Sequence, residues 1–213
     1  MLKLYTDFLD KNRLDVWRKL GNFSDMGSLA GGTALALLLN HRKSFDFDIF
    51  SDRPINKNLL LKAREIFGAN NIEIVIDSED ELSILYKDQI RMSFVYFPFK
   101  PLHPLTPTYS LQIFNVRDLL SNKAYAVGRR GAWRDYADIY WCLKKRIVDL
   151  PNLILETKKR FLGIFSEKLF LEQLVYFEDI NDFAIEWIGK KVGNDEIKKY
   201  LINLVHRYLE EKC

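Results

Sequence analysis

The chain has 213 residues, of which 48% are hydrophobic and 29% are charged, a balance that is typical of globular proteins and excludes a disordered chain. The net charge of +3 is too small to indicate a nucleic-acid-binding protein by itself. The two cysteines exclude a disulfide scaffold and favour a cytoplasmic protein, and the longest apolar run, residues 29–39, is too short for a membrane span of roughly 20 residues.

Hydrophobic spacing in the first half of the chain predicts a mixture of helices and strands. Apolar residues at helical intervals predict helices over 2–20, 34–40 and 56–67. Alternating apolar residues predict strands over 28–30, 45–50, 72–76, 81–86 and 90–97, and one more short strand over 109–114. The three strands after residue 70 are separated by short turns, the second of which contains Asp88, and we expect them to form an antiparallel meander.

The second half of the chain is predicted to be entirely helical. Helices are expected over 116–129, 133–146, 153–162, 167–177 and 196–211. A mixed half followed by a helical half predicts the α+β fold class, with a domain over 1–110 and a second domain over 111–213. Cys142 lies among apolar residues and is expected to be a buried thiol, whereas Cys213 is terminal.

Gly31, Gly32 and Thr33 form a turn between a predicted strand and a predicted helix. Backbone without side chains can come close to a ligand, and a helix N-terminus offers free N–H groups to a phosphate. Thr33 is expected to cap this helix. Taken alone, a Gly-Gly pair is more often an ordinary turn than a functional site.

Asp46 and Asp48 are two residues apart on a predicted strand, so both carboxylates are expected on one face. Such a pair is unfavourable unless a cation neutralises it, and Mg²⁺ supplies that charge and can bridge to phosphates. A lone Asp-x-Asp is usually a solvated strand face, but the glycine turn and the acids in this order indicate a site for a metal–nucleotide complex. The bases between them, residues 41–43, either bind phosphate or solvate the turn.

Two motifs resemble the AbiEii/AbiGii toxin family of the polymerase-beta-like nucleotidyltransferase superfamily. The first is LAGGTALAL at residues 29–37, followed by HRKS at 41–44 and DFDIFS at 46–51. The second comprises KAYA at 123–126, RRG at 129–131 and RDYADIY at 134–140. The resemblance covers residues 28–145, and the tail after residue 150 matches no motif of the family.

The resemblance implies a nucleotidyltransferase-type mixed sheet with flanking helices, and a helical domain that closes the cleft. It implies that nucleotide is bound by Gly31, Gly32, Thr33, Arg42, Ser44, Lys123 and Arg134. It implies that Asp46 and Asp48 hold Mg²⁺ and that the catalytic set is Asp46, Asp48, Lys123, Asp135 and Asp138. From spacing alone, Lys123 is equally a solvated helix residue, and Arg134 with Asp138 equally a surface ion pair.

Ser93 departs from the superfamily pattern, because many members have a third metal-binding carboxylate on the corresponding strand. We expect Ser93 beside Asp46 and Asp48, with its side chain on their face. A serine is a poor Mg²⁺ ligand and carries no charge. Either the metal is held weakly, or another acid substitutes, or the chain binds nucleotide without efficient transfer. Nearby acids are Asp77, Glu79 and Asp80, but their sequence is typical of a turn.

The favoured hypothesis is a Mg²⁺-dependent nucleotidyltransferase that moves a nucleoside monophosphate from a nucleoside triphosphate to an RNA or protein hydroxyl. The resemblance implies tRNA or another RNA as acceptor and a separately encoded antitoxin as partner, with no membrane involved. The alternative is a nucleotide- or partner-binding module with a degenerate catalytic site. The presence of another carboxylate near Asp46 and Asp48 distinguishes the two.

Overall fold

The computed structural model, which describes residues 3–87 and 89–212, folds into two compact units. The first comprises the chain up to Asn40 together with Ser44–Asn115, and the second comprises His41–Lys43 together with the chain from Val116 onward. Leu2, where the sequence predicts the first helix to start, Asp88, where it predicts a turn, and the terminal Cys213 lie outside the described residues.

A five-stranded mixed sheet forms the centre of the first unit. Its elements are α1 (Lys11–Leu20), β1 (Ser28–Ala30), α2 (Gly31–Leu39), β2 (Phe47–Ser51), α3 (Lys57–Phe67), β3 (Ile72–Asp77), β4 (Glu81–Tyr86) and β5 (Ile90–Tyr96). The strand order is β1-β2-β5-β4-β3. Strand β2 runs antiparallel to β1 and parallel to β5, whereas β5, β4 and β3 are antiparallel, which confirms the predicted meander.

The two faces of this sheet differ because the strands alternate in polarity. Phe47 and Ile49 of β2 and Phe94 of β5 are buried, and Trp17 of α1 stacks on Phe47 with ring centroids 6.4 Å apart. This packing assigns the apolar face to the core. The opposite face therefore carries Asp48 of β2, together with its neighbours on the adjoining strands.

Several elements of this unit differ from the sequence prediction. Helix α1 begins at Lys11, so residues 3–10 of the predicted helix lie outside it, because Asp10 Oδ1 accepts a hydrogen bond from the Arg13 backbone N–H at 2.9 Å and caps the helix. Helix α2 begins at Gly31, so Thr33 lies inside the helix and does not cap it. Strand β2 begins one residue after Asp46. Residues 109–114 form no strand, and Ile113 makes only isolated bridges to Leu29 and Thr106.

Five helices build the second unit, as the sequence predicts. They are α4 (Val116–Val127), α5 (Trp133–Lys144), α6 (Leu150–Arg160), α7 (Glu167–Leu174) and α8 (Asn194–Glu210). Helix α4 packs on α5, α6 and α7. Glu167 in the first turn of α7 accepts hydrogen bonds from Lys212 at 2.5 Å, from Tyr208 at 2.7 Å and from Lys158, which ties α6 and α8 to α7.

The segment His41–Lys43 pairs with the irregular stretch before α8. The Lys43 N–H donates to the Glu186 carbonyl at 2.8 Å, and the Ile188 N–H donates to the His41 carbonyl at 2.9 Å. Cys142 on α5 is a buried free thiol, as predicted, and burial raises its pKa. Within residues 3–87 and 89–212, no helix is both long and apolar enough to cross a membrane.

Candidate active site

The turn after β1 places a carboxylate against a glycine. Ala30 is the register partner of Asp48 on β2, so Gly31 follows directly beside that side chain. Gly31 has φ +69°, and a Cβ built on it would overlap Asp48 Oδ2 and lie 3.0 Å from Asp48 Cγ. Glycine is therefore required at position 31 for two reasons: its backbone is left-handed, and the Asp48 carboxylate occupies the space that a side chain would need.

Asp48 consequently lies at the N-terminus of α2. The N-cap residue, Ala30, has no side-chain oxygen to accept hydrogen bonds from the first turn. The first backbone N–H groups of a helix lack partners inside the helix, and together they favour an anion such as phosphate. The geometry thus brings a half-buried carboxylate and a phosphate-type helix terminus to one place.

Thr33 fixes the segment that carries the second acid. Its hydroxyl donates to the main-chain carbonyl of Asp46 and lies 3.0 Å from Ser44 Oγ, within hydrogen-bond distance. Thr33 is fully buried, whereas Asp46 is exposed just before β2. Thr33 and Ser44 therefore position Asp46 through its backbone and leave its carboxylate to solvent.

A row of polar residues continues across the sheet from Asp48. Ser93 of β5 is the register partner of Asp48, and Ser83 of β4 is the partner of Ser93. The Ser83 and Ser93 hydroxyls are 2.5 Å apart, and Ser83 Oγ lies 2.5 Å from Glu81 Oε1. This register confirms that Ser93 lies beside Asp48 on its face, and it adds Glu81 to the row.

The donor set at α2 fits a small divalent cation. Asp46 and Asp48 offer carboxylate oxygens, the ligands that Mg²⁺ prefers, and Asp46 faces solvent. Mg²⁺ is commonly held by one or two carboxylates together with substrate phosphates instead of by a closed protein cage. In the part of the chain that the structure describes, no group of three or more His, Cys, Asp or Glu side chains is arranged to hold a metal.

The second motif forms a buried ion cluster within the helical unit. Asp138 on α5 accepts a two-pronged contact from Arg42, whose Nε and Nη2 lie 2.6 and 2.7 Å from its two oxygens. His41 Nε2 lies 2.7 Å from Asp138 Oδ1. Lys123 Nζ lies 2.5 Å from Asp135 Oδ1 and 3.2 Å from Asp138 Oδ2.

Mutual pairing keeps this cluster ionised although it is buried. Burial raises the pKa of Asp138, but the Arg42 and Lys123 charges outweigh burial and hold that pKa well below its usual range. Burial lowers the pKa of Lys123, but Asp135 and Asp138 outweigh it and raise that pKa. The interpretation of residues 41–43 as bases that solvate the turn is wrong for His41 and Arg42, because both are buried against Asp138.

The structure thus gathers the predicted site residues into two groups, one in each unit. The first group comprises Gly31, Gly32, Thr33, Ser44, Asp46 and Asp48, and the second comprises Arg42, Lys123, Asp135 and Asp138. Arg134 belongs to neither, since its side chain is exposed on α5. The sequence prediction missed Glu81. The alternation of Glu81 with Ser83 on one predicted strand was the available signal for Glu81.

Three comparisons relate this chain to known proteins. The family model described as "Nucleotidyl transferase AbiEii toxin, Type IV TA system" matches residues 19–186. An uncharacterised protein of Aquifex aeolicus (strain VF5) is 32% identical in an alignment of length 187 that covers 85% of this chain and 87% of that protein.

Two solved structures share the fold. MenT4, a nucleotidyltransferase toxin of Mycobacterium tuberculosis H37Rv, superposes with a TM-score of 0.60 at 15% identity, covering 91% of this chain and 81% of its own. JHP933 from Helicobacter pylori superposes with a TM-score of 0.52 at 18% identity, covering 96% of this chain and 100% of its own. These likenesses confirm the predicted mixed sheet with flanking helices and a helical C-terminal part.

Proposed function

Because the chain belongs to the AbiEii family of nucleotidyltransferase toxins, we propose that it transfers a nucleoside monophosphate from a nucleoside triphosphate to a hydroxyl of RNA or protein, with Mg²⁺ held by Asp46 and Asp48. The observation that carries this proposal is the Asp48 carboxylate packed against Gly31 at the start of α2. That position suits a residue that binds a cation shared with a phosphate at the helix terminus. By family, the partners are a nucleoside triphosphate and a separately encoded antitoxin.

Each residue of the first group has a role in this proposal. When bound, Mg²⁺ neutralises phosphate charge and polarises the reacting phosphoryl group. The backbone N–H groups of Gly32 and Thr33 bind phosphate oxygens, and the absence of side chains at Gly31 and Gly32 lets those oxygens approach. Thr33 and Ser44 act through Asp46, by holding its backbone in place.

The acceptor hydroxyl must lose a proton as its oxygen bonds to the α-phosphorus and the bond to pyrophosphate breaks. Ser93, beside Asp48, has no charge with which to take that proton. The chain of hydroxyls from Ser93 through Ser83 ends at the Glu81 carboxylate, with 2.5 Å at each step. In our proposal each serine accepts one proton and passes on its own, so that Glu81 receives the net proton and releases it to water.

The role of the second group in catalysis is also a proposal. By family, Lys123 and Arg134 balance the triphosphate charge, and Asp135 and Asp138 support them. Lys123 forms ion pairs with Asp135 and Asp138 in this structure, so it would have to give up one of these pairs to bind a phosphate. The same cluster holds Arg42, four residues before Asp46 in the chain, which supports a positioning role.

The test is incubation with each of the four labelled nucleoside triphosphates and either total RNA or total protein, with and without Mg²⁺. We expect label to appear in one acceptor fraction only when Mg²⁺ is present. The Asp46→Asn/Asp48→Asn double variant should lose transfer and Mg²⁺-dependent nucleotide binding while keeping its melting temperature. Glu73→Gln/Asp77→Asn, which removes two exposed acids of β3, is the matched control. Transfer by the Asp46/Asp48 variant at the wild-type rate would contradict the site.

A further inference from the structure

A cavity of about 550 Å³ lies within the first unit, at the carboxyl ends of β2 and β5. Cavities of 300–1,000 Å³ are the usual size of small-molecule sites. Four phenylalanines belong to its lining: Phe50, Phe97, Phe99 and Phe114. The Phe50 and Phe97 ring centroids are 4.4 Å apart, and those of Phe97 and Phe99 are 5.1 Å apart.

The cavity begins on the same sheet face as the candidate carboxylate. Phe50 follows Asp48 by two residues on β2, so both side chains point to one face. The Phe97 N–H donates to the Ser51 carbonyl at 2.7 Å and extends the ladder between β2 and β5, so Phe97 follows Ser93 on that face by two full alternations. A two-residue step along a strand is about 7 Å, so Phe50 lies one such step from Asp48.

The lining combines aromatic rings with hydrogen-bonding and cationic groups. Ser24, Ser28 and Asn56 contribute polar side chains, and the exposed bases Arg53 and Lys100 also line the cavity. Phe50, Phe97 and Phe99 remain partly exposed. The lining also contains the exposed carboxylates of Asp25 and Asp52, which lie 3.0 Å from Lys62 Nζ and 3.9 Å from Arg53 Nε, respectively. A flat heterocycle with polar edges matches this lining, because it can stack on the rings and hydrogen-bond to the polar side chains.

We propose that this cavity binds the nucleobase of a nucleotide whose phosphate is handled at Asp46 and Asp48. The inference rests on the proposed function, which brings nucleotides to this face of the sheet. The base comes either from the donor nucleoside triphosphate or from the end of the acceptor RNA. The two sources share the same chemistry, and the experiment below separates them.

The experiment measures equilibrium binding of each nucleoside triphosphate and of a short single-stranded RNA to the full chain. Phe99 lies outside the strands, so Phe99→Ala removes one ring of the cavity, and Phe99→Trp retains an aromatic surface. Stacking on an aromatic side chain contributes about 1–3 kcal/mol per base, which corresponds to a weakening of roughly 5- to 150-fold in Phe99→Ala. Tyr176→Ala, which removes an exposed ring in the helical unit, is the matched control.

Weaker binding of a triphosphate by Phe99→Ala, with RNA binding unchanged, assigns the cavity to the donor base; the reverse assigns it to the acceptor. Unchanged affinity for both ligands in a folded Phe99→Ala variant overturns the inference. Photocrosslinking of the wild type with base-modified photoreactive triphosphate and RNA gives a second measurement that needs no variant. Crosslinks are expected within residues 97–105, and crosslinks that map only elsewhere also overturn it.

Failure of the proposed function gives a different result. If the wild type binds nucleobases through Phe99 but transfers no nucleotide to RNA or protein, the cavity stands and the transferase proposal fails. If transfer depends on Asp46 and Asp48 but neither binding nor crosslinking involves the cavity, the transferase proposal stands and the cavity inference fails.

Discussion

Replacing Gly31 by alanine tests whether the turn holds Asp48 in place. The backbone of Gly31 has φ +69°, a conformation that costs about 1–2 kcal/mol for a residue with a Cβ. The new methyl group would also overlap the Asp48 carboxylate, and crowding of this kind costs typically about 1–3 kcal/mol. Alanine restricts the unfolded chain and recovers about 0.4–1 kcal/mol. We therefore expect Gly31→Ala to lower the free energy of unfolding by roughly 1–5 kcal/mol, from the sum of these terms, with about 3 kcal/mol at the middle of the ranges.

Gly163→Ala is a matched control, because Gly163 has φ +76° and nothing lies within 4 Å of a Cβ built there. The Gly163→Ala variant has the cost of the left-handed backbone without the crowding, so we expect its free energy of unfolding to fall by about 1 kcal/mol. Urea unfolding of both variants gives the difference. In an Asp48→Ala background most of the crowding disappears, and Gly31→Ala should then cost little more than the control.

The functional assay is binding of a Mg²⁺–nucleoside triphosphate complex. The cheapest way to relieve the overlap is rotation of the Asp48 side chain away from α2, so Gly31→Ala should lose metal-dependent binding while Gly163→Ala retains it. The reasoning is refuted if both variants lose equal stability and Gly31→Ala binds the complex as well as the wild type.

The remaining predictions concern the proton path and the ion pairs. Glu81→Gln should slow nucleotide transfer when it is the only substitution, and should have no effect on transfer in a Ser93→Asp background. Ser93→Asp restores a carboxylate at this position and should tighten Mg²⁺ binding in a metal titration. Asp138→Asn should lower the free energy of unfolding by about 3–5 kcal/mol in urea, because it leaves the buried Arg42 guanidinium without its carboxylate partner; a loss below 1 kcal/mol would contradict the cluster. Burial raises the pKa of Glu167, but hydrogen bonds from two lysines and a tyrosine outweigh it and lower that pKa to about 2. The stability that Glu167 provides over Glu167→Gln should therefore be complete above pH 4.5 and vanish as pH falls towards 2, which unfolding curves across that range will show.

Strand alternation was the most reliable guide to this fold. The apolar and polar faces of β2, β4 and β5 follow directly from period-two patterns, whereas the expectation that Ser93 lies beside Asp48 came from the family resemblance, and the strand register confirms it. Asp46 was assigned to the same strand because the alternation continues through Phe45. The strand begins later, since the chain at 41–43 pairs with residues 186–188 and the hydroxyl of Thr33 holds Asp46.

Helix starts were harder to predict where the N-cap residue was not of a type that usually caps helices. Asn56 caps α3 as its residue type suggests, with Oδ1 accepting from the Asn58 N–H at 3.0 Å. Helix α2 instead starts after Ala30 at a left-handed glycine, and the threonine that resembles a cap lies two residues inside. Local propensity cannot show this, because the start is fixed by the pairing of Ala30 with Asp48 on another strand.

The burial and the partners of charged residues were the hardest features to predict, because the same residue types occur both in solvated turns and in buried ion pairs. Arg42 stands in a basic run that is typical of a surface turn, yet its side chain is buried and forms a fork with Asp138, 96 residues away. A charge this deeply buried is stable only with such a partner, and the partner is set by the packing of α5. Sequence spacing supplied Asp135 and Asp138 as one helical face but gave no means to pair them with Arg42.

The ion cluster and the carboxylate site are connected along the chain by a short segment. Helix α2 ends at Asn40, which has φ 52°, and the next three residues pack within the helical unit through His41 and Arg42. The chain returns to the first unit at Ser44, whose hydroxyl meets Thr33 at 3.0 Å, and Asp46 follows two residues later. Asn40 is thus in a left-handed turn, His41 and Arg42 are held by Asp138, and Ser44 and Asp46 are held by the Thr33 hydroxyl. A loosened Asp138 would free the start of this segment, so the second motif can govern where Asp46 lies without touching a nucleotide.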